Sequence, residues 1–529
     1  MDIFAKTKGL KLVSYLKKFN LYPFFRALEG SKGNNVLYNN TEMVMMGSNN
    51  YLGLTHHPDV IDASTTAIEQ WGVGCTGSRF LNGNLTIHEE LEKELADFFG
   101  YEAAIVFATG FMANQGAISA IADSNDYIFS DDENHACIIE GCRLSGAKIK
   151  VFRHGDMEHL EEQLKSVPRR AGKLIITDGV FSMTGHVAKL PEIIELAKKY
   201  KARTYVDDAH GIGVIGEGGR GTGSHYGVQA DVLMGTFSKS LATQGGVICG
   251  SKDVINWIRH KARTFMFSAA LSPANTAATM KALEILRDEP QRVLKNAENA
   301  RYLQDQFEAM GFDTMGTETC VIPIFVGDDK TALRVCQDLL KYNVFTTPVV
   351  WPAVPKGEAV IRCSVMATHT KEDLDIAVRA FKNVAPQIYK ATKSGSSYAL
   401  ADMLSNGDSL TDEFFTKEEH PSDSAEQPRE RVKYMSSAKN RTSKRAKAAQ
   451  LIDKLPVNVK AKDKATAFVK SLPSLPSLPT PPSPMELAGE LIDQIPNKDK
   501  ATKMGAYGLK MVKENFDSLA DKLINKLDQ

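Results

Sequence analysis

One lysine, Lys239, lies in the segment MGTFSKSLATQGG at 234–246, with a serine hydroxyl on each side and paired glycines behind it. An amine in such a small-residue loop can condense with the aldehyde of a cofactor. A lone lysine is by default a solvated surface charge, so this chemistry needs partners. Upstream, ARTYVDDAHGIGVIG at 202–216 reads as a short apolar strand that delivers Asp207, Asp208 and His210 into a glycine-rich turn. A strand-end carboxylate such as Asp207 can pair with a pyridinium nitrogen, which is how proteins keep pyridoxal phosphate an electron sink. His210, three residues on, could reach the phenolic oxygen or the imine. Further upstream, SDDENHACIIEGCR at 130–143 sets His135 just after an acidic turn, where an imidazole face can stack on a pyridine ring. Each residue has a plainer reading: Asp207 as a turn residue, His135 and His210 as satisfied polar groups, the glycines as turn formers. The ordered combination is much more specific than any of its parts.

These blocks, in this order, closely resemble the α-oxoamine synthases, fold-type I pyridoxal phosphate enzymes that condense an amino acid with an acyl-CoA and lose carbon dioxide. The resemblance runs from about Tyr22 to about Ala380. It implies Lys239 as the residue that holds the cofactor and then acts as base at Cα, with Asp207, His210 and His135 as its catalytic companions. It implies further cofactor contacts at Gly110, Phe111, Ser182, Thr236 and Ser268. SNNYLGL at 48–54 and VIRCSVMATHT at 360–370 resemble the family's substrate segments, which maps the amino acid carboxylate onto Asn50 and Arg362. A guanidinium fork suits a carboxylate, and fixing that group orients the bond at Cα that must break. The plain alternative for Arg362 is a surface salt bridge. GCTGSRFLNGNLTIHEELE at 74–92 and FMFSAALSP at 265–273 resemble the rim and the segment that complete a partner's site, so a homodimer with shared active sites is implied.

Elements must carry these residues to one place. The segments KLIITDGVF at 173–181 and ARTYVDDAH at 202–210 read as strands, separated by the amphipathic LPEIIELAKKYK at 190–201. Such alternation predicts a mostly parallel sheet with helices on both faces, and ligands then collect at the carboxyl ends of the strands. AAIVFATGFMANQGAISAIA at 103–122 is uncharged over a membrane-like length. Thr109, Gly110, Asn114, Gln115 and Gly116 interrupt it, so it reads better as strand, loop and helix start, where free backbone N–H groups suit a phosphate. The expected organisation is an N-terminal segment (1–60), a large cofactor-binding domain (61–285), a smaller C-terminal α+β domain (286–390), a mostly disordered linker (391–484) and an amphipathic helical tail (485–529).

The chain has 529 residues, 43% hydrophobic and 24% charged, with Lys+Arg and Asp+Glu balanced at 64 each. That supplies a sizeable core and gives no electrostatic case for nucleic acid. Seven scattered cysteines without CxxC spacing point to reduced thiols and to neither a disulfide framework nor a metal centre. With no apolar leader in MDIFAKTKG, a cytoplasmic location is expected. The tail differs: SLPSLPSLPTPPSP at 471–484 favours extended polyproline geometry and separates LIDKLP at 451–456 from its repeat LIDQIP at 491–496. Val512, Phe516, Leu519, Leu523 and Leu527 follow at helical steps. This stripe packs on its own repeat or the catalytic core, or it docks to a protein partner or, less favoured by its mixed charges, a membrane surface.

Within the family, GTFSKS, LYPFFRALE at 21–29 and TGSRFLNGN are closest in wording to the bacterial serine palmitoyltransferases. This favours L-serine and a long-chain acyl-CoA, giving a 3-keto amine at the first step of sphingolipid synthesis. Glycine C-acetyltransferase (2-amino-3-ketobutyrate CoA ligase) and 8-amino-7-oxononanoate synthase share every implied catalytic residue and remain alternatives. A regulatory relative that has lost its chemistry is the non-enzymatic alternative. Such relatives usually lose the lysine, which is present here.

Overall fold

A computed structural model describes residues 2–8 and 11–394. The proline-rich spacer, the repeat and the amphipathic tail lie outside the described residues. Seven strands form the central sheet: β1 Ala103–Phe107, β2 Tyr127–Asp131, β3 Lys148–Phe152, β4 Lys173–Asp178, β5 Arg203–Asp207, β6 Val232–Thr236 and β7 Gly246–Gly250. Their spatial order is β1-β7-β6-β5-β4-β2-β3. All neighbours run parallel except β7, which is antiparallel to both β1 and β6.

The alternation of side chains explains why helices cover both faces. On β4, Leu174 and Ile176 join Ile118, Ile138 and Tyr205 in one apolar cluster, whereas Ile175 joins Phe129, Phe152 and Ile193 in another. Every residue of β4 is buried, as expected for a strand sandwiched between two helical layers. The uncharged stretch at 103–122 becomes β1 and the helix Gly110–Ile121, whose N-cap Thr109 accepts a hydrogen bond from the Met112 N–H at 3.1 Å.

A second sheet of three antiparallel strands, in the order Val321–Gly327, Ala359–Ser364, Thr347–Val349, packs against the helices Asp329–Leu340 and Lys371–Ser394. The first residues of the chain return to this region. Strands Gly30–Lys32, Asn35–Tyr38 and Thr41–Met45 form a meander, and Val344–Phe345 adds to it parallel to Thr41–Met45. The Ser364 N–H donates to the Met46 carbonyl, so the N-terminal meander and the C-terminal sheet are stitched together.

Two imidazoles link the large sheet to the loop before Val321. His186 Nε2 donates to the Met315 carbonyl at 2.8 Å, leaving its Nδ1 to accept from His154 Nε2 at 3.3 Å. His154 Nδ1 meets the Asp131 carboxylate at 3.0 Å, so His154 needs a proton on both nitrogens. Burial opposes its charge, but the hydrogen bond and charge of Asp131, with Glu133 and Asp132 nearby, outweigh burial and hold its pKa above the usual histidine value.

Candidate active site

The carboxyl ends of four parallel strands converge, as the topology of an open α/β sheet dictates. β5 ends in Asp207, β4 in Asp178 directly alongside it, β6 in Thr236 with Lys239 just beyond, and β2 leads into His135. Asp207 and Asp208, adjacent in sequence, take opposite faces of their strand and separate roles. Asp208 is wholly buried and accepts from the Thr222 N–H at 2.6 Å and Oγ1 at 2.7 Å, a structural fastening of the glycine turn. Asp207 accepts from Asn114 Nδ2 at 2.6 Å and from the Ala209 N–H at 3.0 Å. Asn114 is itself held by Tyr205, whose hydroxyl donates to its Oδ1 at 2.7 Å.

His135 caps its own helix, Nδ1 accepting from the Cys137 N–H at 3.2 Å, which fixes the ring while leaving its face exposed for stacking. Desolvation lowers its pKa against the pull of Asp207. Lys239 is half-buried. Desolvation depresses its amine to about 8, only partly opposed by Asp207 and Asp178. Asp178 is pushed well above the carboxylate range by burial and by the neighbouring Asp207 charge, and it accepts the His135 backbone N–H at 3.2 Å.

At the other end of the pocket, Gly110 opens its helix against Thr236. A Cβ on Gly110 would stand 2.7 Å from Thr236 Oγ1, and one on Gly246 would stand 2.6 Å from the Gly110 Cα. Only glycine permits this approach, and it leaves the first backbone N–H groups of Gly110–Ile121 free to face an anion. The Thr236 and Ser238 hydroxyls, 3.0 Å apart, stand at the same end. A cradle for phosphate, a buried carboxylate for a ring nitrogen, an imidazole face and an amine with a lowered pKa fit pyridoxal phosphate in charge and donor type.

Arg362 enters from the small domain, 7% exposed. Its Nε donates to the Ser182 carbonyl at 2.7 Å, and Nη1 and Nη2 both donate to Asn49 Oδ1 at 3.1 Å. Nη2 also donates to the Tyr51 hydroxyl at 3.1 Å. Arg362 is therefore no surface salt bridge. The asparagine beside it is Asn49, whereas the motif pointed to Asn50. Asn50 turns the other way, donating from Nδ2 to Thr55 Oγ1 at 2.8 Å, because the tight SNNYLGL turn sends neighbouring side chains in opposite directions. Ser182 contributes its carbonyl to the fork. Phe111 is 44% exposed, and half-buried Ser268 follows the 72%-exposed Phe267, so both lie at the surface of this chain.

Sequence reasoning missed Asn49, Tyr51, Asn114 and Asp178. Asp178 carries the same signature as Asp207, a carboxylate closing an apolar strand. Asn114 was visible as a polar interruption of an apolar helix. Tyr51 has no local signal, because its partners His210 and Arg362 lie 159 and 311 residues away.

The family model for class I and II aminotransferases matches residues 41–381. The serine palmitoyltransferase of Bacteriovorax stolpii is 50% identical over 382 residues, 72% of this chain and 91% of that protein. The 8-amino-7-oxononanoate synthase of Thermoanaerobacter pseudethanolicus is 46% identical over 376 residues, 70% of this chain and 95% of that protein. Among solved structures, the serine palmitoyltransferase of S. paucimobilis with bound PLP-myriocin superposes with a TM-score of 0.72 at 33% identity, covering 74% of this chain and all of that one. With the lysine pocket and its phosphate cradle in this fold, these likenesses establish the chain as a member of the α-oxoamine synthase family, a pyridoxal phosphate-dependent acyltransferase.

Proposed function

We propose that the enzyme condenses L-serine with a long-chain acyl-CoA, releasing carbon dioxide and free CoA and leaving a 3-keto amine. The observation that carries an amino acid substrate is the Arg362 fork, buried and pre-oriented by Asn49, Tyr51 and the Ser182 carbonyl. A fork immobilised before the substrate arrives loses little freedom on binding a carboxylate. The choice of serine rests on the 50% identity to the Bacteriovorax stolpii protein.

Bound pyridoxal phosphate supplies the electron sink for a carbanion at Cα. Asp207 would hold a proton at the cofactor's ring nitrogen, its carboxylate fixed by Asn114 and the Ala209 N–H. The Lys239 amine, with its pKa near 8, takes the proton from Cα of the bound amino acid at neutral pH with little penalty. His135 would stack on one face of the cofactor's ring.

The site is proposed to be complete only in a homodimer. Phe267, Leu81, Val73 and Phe80 are 72%, 77%, 78% and 51% exposed, apolar side chains on or beside the two segments whose wording resembles a dimer contact. Ser268 would then serve the neighbouring copy's phosphate. The proposed division is a large domain over 61–285 and a small domain over 286–390 joined by the N-terminal segment. Seven free cysteines support a cytoplasmic location. Among the described residues no helix is long and apolar enough to cross a membrane. The spacing of Val512 to Leu527 supports a docking role for the tail.

The decisive test is spectroscopic titration of the holoenzyme with L-serine, glycine and L-alanine, followed by acyl-CoAs of increasing length. L-Serine perturbing the cofactor band and palmitoyl-CoA driving product is the expected result. L-Alanine with pimeloyl-CoA is the second reading, favoured by the 46% identity to an 8-amino-7-oxononanoate synthase, and its success would overturn the first. Glycine with acetyl-CoA outperforming both would do the same.

A further inference from the structure

His210 is 8% exposed and its Nδ1 lies 2.7 Å from the Tyr51 hydroxyl. Tyr51 is fully buried and has one proton to give. Its oxygen accepts from Arg362 Nη2 at 3.1 Å, and its proton has two candidate acceptors, His210 Nδ1 at 2.7 Å and Asn49 Oδ1 at 3.2 Å. Asn49 Oδ1 already accepts twice from Arg362, at Nη1 and Nη2, so both of its lone pairs are engaged. The shorter contact and the free acceptor coincide at His210.

We propose that Tyr51 is a positioning residue that holds His210 in the tautomer with a bare Nδ1 and a protonated Nε2, thereby aiming a hydrogen-bond donor into the reaction pocket and tying it to the carboxylate fork. The proposal rests on the reading of this pocket as the amino acid condensation site and adds to it a residue that acts through His210. Nε2 has no hydrogen-bond partner among the described residues, and the ring faces the cationic groups of Lys239 and Arg362 and the imidazole of His135, which come from three separate elements. Burial, and after it the Lys239 and Arg362 charges, disfavour an imidazolium, so a single ring proton must be placed, and Tyr51 decides where. The two functions are thereby linked: a substrate carboxylate that draws Arg362 or Asn49 toward itself alters the acceptors competing for the Tyr51 proton, and the change is felt at His210 Nε2.

Two measurements on the holoenzyme test this. In the wild-type protein labelled with 15N-histidine, the His210 signal, assigned by its loss in His210→Asn, is expected to show a protonated Nε2 and an unprotonated Nδ1. The opposite tautomer would overturn the proposal, and this experiment needs no variant at position 51 to fold. The second is a double-mutant cycle on the pH midpoint of the cofactor's visible absorbance, using Tyr51→Phe, His210→Asn and the pair, with cofactor stoichiometry and circular dichroism as controls. Tyr51→Phe is expected to move the midpoint by about one pH unit and to add almost nothing when His210 is already replaced. Additive shifts would show that Tyr51 acts on the pocket independently of His210 and would refute the role. Neither readout involves acyl-CoA or a chosen amino acid, so a failure of L-serine as substrate would leave both intact and strike only the assigned function.

Discussion

Replacing Gly246 by alanine is expected to weaken cofactor binding through the helix start it packs against. Gly246 begins β7, buried and paired to Phe107 and Thr236, and an added Cβ would lie 2.6 Å from the Gly110 Cα and 2.8 Å from the Gly110 N. Both atoms are backbone at a helix start, so no rotamer can relieve the overlap. Restoring ordinary contact at 3.4 Å from 2.6 Å requires a displacement of 0.8 Å. A phosphate hydrogen bond of about 2.9 Å lengthened by that amount falls outside the bonding range. Losing two charge-assisted N–H contacts at roughly 1.5 kcal/mol each raises the Kd for pyridoxal phosphate by about 100-fold. Overpacking should also destabilise the fold by about 1–3 kcal/mol. Titrating the apoenzyme with pyridoxal phosphate, followed by visible absorbance, measures the first effect, and thermal unfolding of the apoenzyme measures the second. A Kd within about threefold of wild type in a folded variant would refute the claim that the Gly110 N-terminus is the phosphate cradle.

Further expectations follow from the same geometry. Lys239→Ala should abolish turnover and the lysine-linked cofactor band while preserving the circular dichroism spectrum, and a retained band would remove Lys239 from its role. Arg362→Lys should raise KM for the amino acid by about 10- to 100-fold, since an ammonium cannot reproduce the fork held by Ser182 and Asn49; a KM unchanged in steady-state assays would contradict this. His154 has a folded pKa raised above its ordinary 6.5, so its contribution is fully present below that pH and is lost as pH rises through the raised value. His154→Gln should therefore lower the thermal midpoint more at pH 6 than at pH 8.5, and an equal or larger loss at the alkaline pH would refute the charged His154. A chain ending after Ser394 should keep its turnover of soluble substrates, and loss of cofactor from it would show that the tail packs on the catalytic core.

The large domain was legible because its signals are local. KLIITD and ARTYVDD are apolar runs closed by carboxylates, and a parallel sheet sends every such closing residue to one edge, so Asp207, His210 and Lys239 could be brought to one place from strand ends and turns, while their roles came from the family resemblance. What escaped was non-local pairing. The N-terminal meander finds its fourth strand at Val344–Phe345, and nothing in TEMVM at 41–45 announces a partner so distant. The choice between Asn49 and Asn50 was invisible for a related reason. Both occupy the same motif, and only the direction in which a tight turn throws each side chain decides which one meets Arg362.

That non-local pairing has a consequence for how the protein comes into being. The amino acid fork joins Asn49 to Arg362 across 313 residues, whereas the lysine pocket is built entirely within the strands and turns from β1 to β7. At about 5–20 residues per second of synthesis, the interval between the two halves of the fork leaving the ribosome is roughly 15–60 s. For most of that time strand Thr41–Met45 has one edge without its eventual neighbour, Val344–Phe345, an exposure for which edge strands are a known hazard. A nascent chain halted after Asp288 would carry the lysine, its carboxylate and the phosphate cradle with no grip on an amino acid. The segments of the cofactor pocket thus precede the carboxylate fork in synthesis, and the last strand among the described residues, Ala359–Ser364, is the one that brings Arg362 to it.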